Sequence, residues 1–247
     1  MWAIARMELK KTVQDKGLWF WTFILPIVFI VAFVAIFSGE ENASYQEIVT
    51  QIIPGYTIMF AFFIMISMVI VFVKDRERGM VARIASTPIS VYQYFFGKWV
   101  PFMILVLVQI AVLFSFGVIV NDLPLGDPLA LLVLSLALAF IVTGWGMAMA
   151  VIVKTENMGI ALTQVLALGG ALLGGLWMPV EFMPEFVQTI SQSLPQYWAL
   201  QGYKDILLSG SDITDIWINL LFLIVAGAGG MGLALLFYPR FLGHSRS

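Results

Sequence analysis

Residues 75–99, DRERGMVARIASTPISVYQYFFGKW, hold the densest cluster of reactive groups in the chain: Asp75, Arg76, Glu77, Arg78, Arg83 and Lys98, with hydroxyls between them. Gly97-Lys98 invites a phosphate-binding reading. That motif needs a glycine five residues before the Gly-Lys pair and a Ser or Thr after it. Position 92 is Tyr and position 99 is Trp. Gly97-Lys98 is instead expected to be a turn into a membrane, its lysine reaching back to the interface along an apolar stem. No catalytic residue, bound cofactor or metal is expected in the chain itself. His244 is the only histidine and cysteine is absent, so neither a His- or thiolate-based metal site nor a Ser-His pair can be built. The apolar runs carry no ionisable residue at mid-depth, which argues against an intramembrane protease and an ion-coupled transporter.

These groups must be positioned by elements suited to lipid. Of 247 residues, 61% are hydrophobic and 11% charged, with a mean hydropathy of +0.96. A soluble domain carries about a quarter charged residues. The apolar residues form six runs, 18–37, 52–73, 99–120, 129–153, 158–176 and 216–238, each close to the ~20 residues a helix needs to cross a bilayer. Helices are the only open-ended solution, because unpaired backbone groups in hydrocarbon are costly. The chain is read as one all-α membrane domain, 1–247. The N-terminal segment, MWAIARMELKKTVQDKG, is basic and amphipathic and lacks a signal-peptide cleavage pattern.

Charge orients the spans. Twelve of the 13 Lys and Arg fall on one side, and Lys204 falls on the other with ten acidic residues. The positive-inside rule makes the basic side cytoplasmic and places both termini there. The expected location is the plasma membrane, with lipids as partners and no nucleic acid.

Within 75–99, Gly79 lets the backbone leave the span axis at little steric cost. Apolar positions Met80, Val81, Ile84 and Ala85 suggest a short helix over 79–86, and Pro88 stops it. Ser90 is placed to cap a second short helix, Val91–Phe96, leading through Gly97-Lys98 into span three. Two readings stay open: an amphipathic connector whose cations face lipid phosphates, or a rigid element that docks a cytoplasmic partner.

The pattern Glu77-Arg78-Gly79, Arg83, Thr87-Pro88-Ile89 and Gly97-Lys98 resembles the inner loop of ABC-2 type permeases, the membrane subunits of one class of ATP-driven exporters. The basic N-terminus looks like that family's connecting helix. Trp177-Met178-Pro179, Met183-Pro184, Leu194-Pro195 and Tyr203 to Gly210 resemble its outer re-entrant hairpin between spans five and six. The resemblance implies a coupling helix, with Glu77, Arg78, Gly79, Arg83, Thr87 and Pro88 seated on a nucleotide-binding subunit. It also implies two ATPase subunits per complex, which carry ATP and Mg, and a second permease copy, identical or homologous.

Three further features complete the reading. Glycines cluster at 144–146, 169–175 and 227–232, where close helix packing is the plain expectation. Gly174-Gly175 are the exception, as a flexible point where span five breaks. With Pro179, Met183, Pro184 and Pro195 they form a candidate outer gate. Span two is rich in Phe and Met, soft surfaces that suit apolar ligands, so Phe60 and Phe63, with the intramembrane amides Gln109 and Gln164, are candidate path residues. The expected cargo is a hydrophobic or amphipathic small molecule such as a drug or antibiotic, with lipid or glycan export, or a non-transporting scaffold or sensor, as alternatives.

Overall fold

The structure, a computed structural model, describes residues 2–39, 44–80 and 90–243. Among them all the regular structure is helical, with no strand. Six helices are long and apolar enough to cross a membrane: Lys16–Phe37, Tyr45–Glu77, Tyr92–Asn121, Pro128–Ile152, Glu156–Leu173 and Trp217–Tyr238. They follow the six apolar runs in order, and the second and third are longer than their runs by about two turns or more because polar turns continue past the hydrocarbon. The predicted short helix at 79–86 lies largely outside the described residues, as do Arg83, Thr87 and Pro88.

α1 (Trp2–Gln14) ends at Asp15, whose carboxylate accepts from the Leu18 N–H at 3.1 Å and starts α2 (Lys16–Trp19). The helix widens into a π turn at Phe20–Ile24 before α3 (Leu25–Phe37). Pro26 offers no N–H to the carbonyl one turn back, and a widened turn relieves the clash there.

α4 (Tyr45–Glu77) is the axis of the bundle. Ser44 and Glu47 close a reciprocal capping box at its start. Its 33 residues span about 50 Å, well beyond a hydrocarbon core of ~30 Å, so charged turns project from its basic end. Its apolar window is 72% buried, against 28% for Lys16–Phe37 and Glu156–Leu173. It packs on α3 and on four later helices.

α5 (Val91–Asn121) corrects an expectation. The Ser90 cap is present, completed by Gln93, but the helix runs unbroken through Gly97-Lys98 and Pro101. No turn separates Val91–Phe96 from the third span. Tyr94, Phe95 and Lys98 are all buried, and this packing overrides the ~1 kcal/mol that a mid-helix glycine costs.

α6 (Pro128–Ile152) starts at Asp127, whose Oδ1 accepts from the Leu129 and Ala130 N–H groups at 2.7 and 2.9 Å. α7 (Glu156–Leu173), α8 (Glu185–Ser191), α9 (Pro195–Ser209) and α10 (Trp217–Gly243) complete the chain. The glycine clusters split by face. A Cβ on Gly144 would lie 2.8 Å from the Gly227 carbonyl oxygen, and one on Gly230 would lie 2.8 Å from Trp145. Trp145 Nε1 donates to the Ala226 carbonyl at 3.0 Å. Small residues thus bring α6 and α10 into backbone contact, whereas Gly169, Gly229 and Gly232 meet open space.

Candidate functional site

At the basic end, three successive residues of α4 hold three other elements. Lys74 Nζ lies 3.5 Å from a Glu156 carboxylate oxygen at the start of α7. The Arg76 guanidinium donates to the Val153 carbonyl at 3.1 Å and to the Lys154 carbonyl, closing the end of α6. Asp75 is buried and takes Lys98 of α5 as its ion-pair partner. The Tyr94 hydroxyl donates to the same carboxylate at 3.0 Å. A side chain every 100° or so makes this three-way grip possible.

Lys98 does not reach for the interface. Its side chain is wholly buried, paired with Asp75 and, at 3.4 Å, with Glu8 of α1. The Phe72 and Tyr94 rings lie 5.3 and 5.4 Å from its ammonium. A buried ammonium needs paired carboxylates, and these come from two helices that sequence spacing does not relate to it. Glu8, Asp75 and Tyr94 were missed as site residues. The available signal was an acid at the end of one span facing a lysine at the start of the next, with a tyrosine one turn away.

Beyond the grip, Glu77 ends α4 and Arg78 caps it, both exposed. Arg78 has no ion pair among the described residues. Gly79 stands at φ +65 with nothing near its missing Cβ. Its role is conformational, a left-handed exit that L side chains disfavour.

From this end a cleft of about 830 Å³ runs along α4, between the α1–α3 segment and α7. Glu8, Lys11, Lys74 and Arg78 line its charged mouth, and Trp21, Phe29, Met59 and Trp177 its apolar length. Trp177 Nε1 points at Met59 Sδ, 3.2 Å away. Three predicted path residues, Phe60, Phe63 and Gln164, line this cleft. Gln109 does not. It is wholly buried, and neither amide atom has a partner among the described residues.

At the acidic end, α7 stops where Gly174-Gly175 suggested. Leu176 N–H bonds the Ala171 carbonyl and Gly175 N–H bonds the Leu172 carbonyl, at 3.0 and 3.4 Å. Gly175 at φ +77 completes this glycine-dependent helix stop. Pro179 precedes a 3₁₀ turn at Val180–Phe182, where Met183 is the C-cap; Pro184 precedes α8 and Pro195 opens α9. α9 is seated by buried polar contacts. Gln196 Nε2 donates to the Leu166 carbonyl at 3.2 Å, in space left by Gly170. Asn219 Nδ2 donates to the Trp198 carbonyl at 3.0 Å, and the Tyr203 and Ser135 hydroxyls are 2.9 Å apart. Phe182 and Phe186 remain exposed.

The family model described as "ABC-2 family transporter protein" matches residues 40–236. The chain belongs to this family. As an ABC-2 permease it is a multi-pass membrane protein, and permeases of this kind work with ATP-binding cassette ATPases. It is similar to the "Putative transport permease YvfS" of Bacillus subtilis (strain 168), 28% identical over 88% of each chain. It is also 25% identical to the "Linearmycin resistance permease protein LnrN" of the same organism, over 78% of this chain and 51% of LnrN. The "Probable multidrug ABC transporter permease YbhR" of Escherichia coli (strain K12) is 25% identical over 66% of this chain and 45% of YbhR. The permease thus spans about half the length of the last two relatives. Its matched region takes in the α4 grip, most of the cleft and helices α8 and α9, while α1 and Glu8 lie before it.

Proposed function

We propose that this permease is the membrane subunit of an exporter that moves a hydrophobic or amphipathic small molecule out of the cell. ATP and Mg are held and hydrolysed by two separate ATPase subunits, and a second permease copy completes the path. The observation that carries this reading is the cleft. It is continuous from a charged mouth at the basic end to Trp177, with aromatic and sulfur side chains along its length. Such walls suit a cargo with a large apolar surface and offer few hydrogen bonds to a glycan.

The positive-inside rule puts the basic end and both termini in the cytoplasm. There the segment after Gly79, with Glu77, Arg78, Arg83, Thr87 and Pro88, is the docking element for the ATPase. Closure of the ATPase pair displaces this segment, and the α4 grip passes the displacement to α5, α6 and α7. The α8–α9 hairpin, dipping from the outer face, acts as the gate. The names of LnrN and YbhR, which refer to linearmycin resistance and to multidrug transport, favour a drug-like cargo over lipid.

The test is ATP turnover by the permease reconstituted with its ATPase subunits in proteoliposomes, with and without a panel of amphipathic antibiotics. Stimulation of turnover with movement of the compound across the bilayer is the expected result. Turnover indifferent to every compound, with no movement, would favour a scaffold. Stimulation by phospholipid alone would redirect the reading to lipid export.

A further inference from the structure

We propose that Lys98 is a positioning residue that fastens α1 to α4 and α5, so that the three helices move as one body when the segment after α4 is displaced. The inference rests on the coupling role proposed above for that segment.

Lys98 is the one buried cation among the described residues, and it holds carboxylates from two helices, Asp75 of α4 and Glu8 of α1. Among the described residues, the charged and titratable groups around it are Asp75 and Glu8 directly, Tyr94 through Asp75, Lys11 through Glu8 at 3.1 Å, and Tyr238 beside Tyr94. The apolar anchorage of α1 among its described side chains is small. Of its side chains described, only Ala5 and Glu8 are buried, while Met7 and Val13 are exposed. Ile4 also packs against the core, half-buried, and the Glu8–Lys98 pair is the buried charged part of the attachment to α5.

The pairing is also asymmetric. Asp75 alone keeps the ammonium paired if Glu8 is lost, whereas α1 keeps no buried charge contact. Because the cluster is withdrawn from water, the attraction between its members is strong and weakly screened by salt. α1 cannot drift from α5 without separating Glu8 from Lys98. Together with Lys74 and Arg76, which reach α7 and α6, the cluster makes the end of α4 a joint for every helix around the mouth of the cleft.

The chain has no cysteine, so spin labels can be placed at Lys10→Cys on α1 and Tyr92→Cys on α5, both at exposed positions. Distances are measured in lipid nanodiscs, for the permease alone and for the complex with its ATPase subunits, with and without trapped ATP-Mg. The native background is expected to give one narrow distance in every state. Glu8→Gln is expected to broaden it and add a longer population even without ATP, and Glu8→Asp to restore the narrow distance. A narrow distance in Glu8→Gln, or a native distance that changes with ATP, would overturn the proposal. If Glu8→Gln does not assemble, the triple variant Glu8→Gln/Asp75→Asn/Lys98→Met leaves no unpaired buried charge and carries the same expectation. A second label pair, Tyr92→Cys with Ser211→Cys, reports whether ATP moves α5 against the acidic end at all. No change there sinks the coupling reading, while the ATP-free Glu8→Gln result still decides this one.

Discussion

Gln51, two turns into α4, donates from Nε2 to the Gly175 carbonyl at 2.7 Å, tying the start of one spanning helix to the point where another stops. One turn further along α4, Gly55 lies so close to Leu176 that a Cβ would overlap its carbonyl oxygen. These two contacts set where the chain leaves α7 relative to α4. Replacing Gln51 with Leu strips a buried carbonyl of its donor and is expected to cost about 1–3 kcal/mol. Thermal unfolding of the purified protein in detergent reads the change. A native melting temperature would remove this bond from the account of the α7 stop.

Gln109 poses the opposite case. Its amide is wholly buried with neither atom partnered among the described residues, so it carries a desolvation penalty with nothing visible to offset it. Gln109→Leu is expected to stabilise the protein by about 1–3 kcal/mol and to leave transport intact. Loss of transport with normal stability would return Gln109 to the path.

The two amides show what could and could not be read in the sequence. The spans were legible because an apolar run near 20 residues has one physical solution in lipid. The α7 stop was legible because paired glycines before a proline are local signals. The Ser90 cap was legible for the same reason, since a cap acts within one turn. Lys98 was not. Read locally, a lysine beside a glycine at the edge of an apolar run belongs at the interface, and its burial depends on Glu8 and Asp75, far along the chain. The cleft was half legible. Composition singled out Phe60 and Phe63, and polarity inside the spans singled out Gln109 and Gln164, but which faces of α3, α4 and α7 meet is decided by packing, and that packing brings Gln164 and not Gln109 to the cleft.

Orientation has a direct test. Single cysteines at Glu185→Cys and Ser211→Cys, at the acidic end, are expected to react with an impermeant thiol reagent added to intact cells. Lys10→Cys and Tyr92→Cys are expected to stay unlabelled until the cells are opened. Labelling of Tyr92→Cys from outside would invert the assignment of cytoplasmic termini.

Docking of the ATPase is expected to depend on Glu77 and Arg78, which are exposed where α4 ends. The double variant Glu77→Ala/Arg78→Ala should fold normally, because surface substitutions of this kind change stability by less than about 0.5 kcal/mol. It should co-purify with markedly less ATPase subunit. Equal recovery of the complex would place the docking surface elsewhere.

The grip of Lys74, Asp75 and Arg76 on three neighbours also sets what kinds of sequence change this chain can tolerate. Each residue added to or removed from α4 before position 74 would swing all three side chains by about 100°. Lys74, Asp75 and Arg76 would then face the wrong neighbours together, and the Gln51 and Gly55 contacts hold the other end of the helix fixed. Homologous chains can therefore drift in composition along α4, yet insertions and deletions between Gln51 and Lys74 should be purged. Variation in length is left to the segments beyond the two ends of that helix.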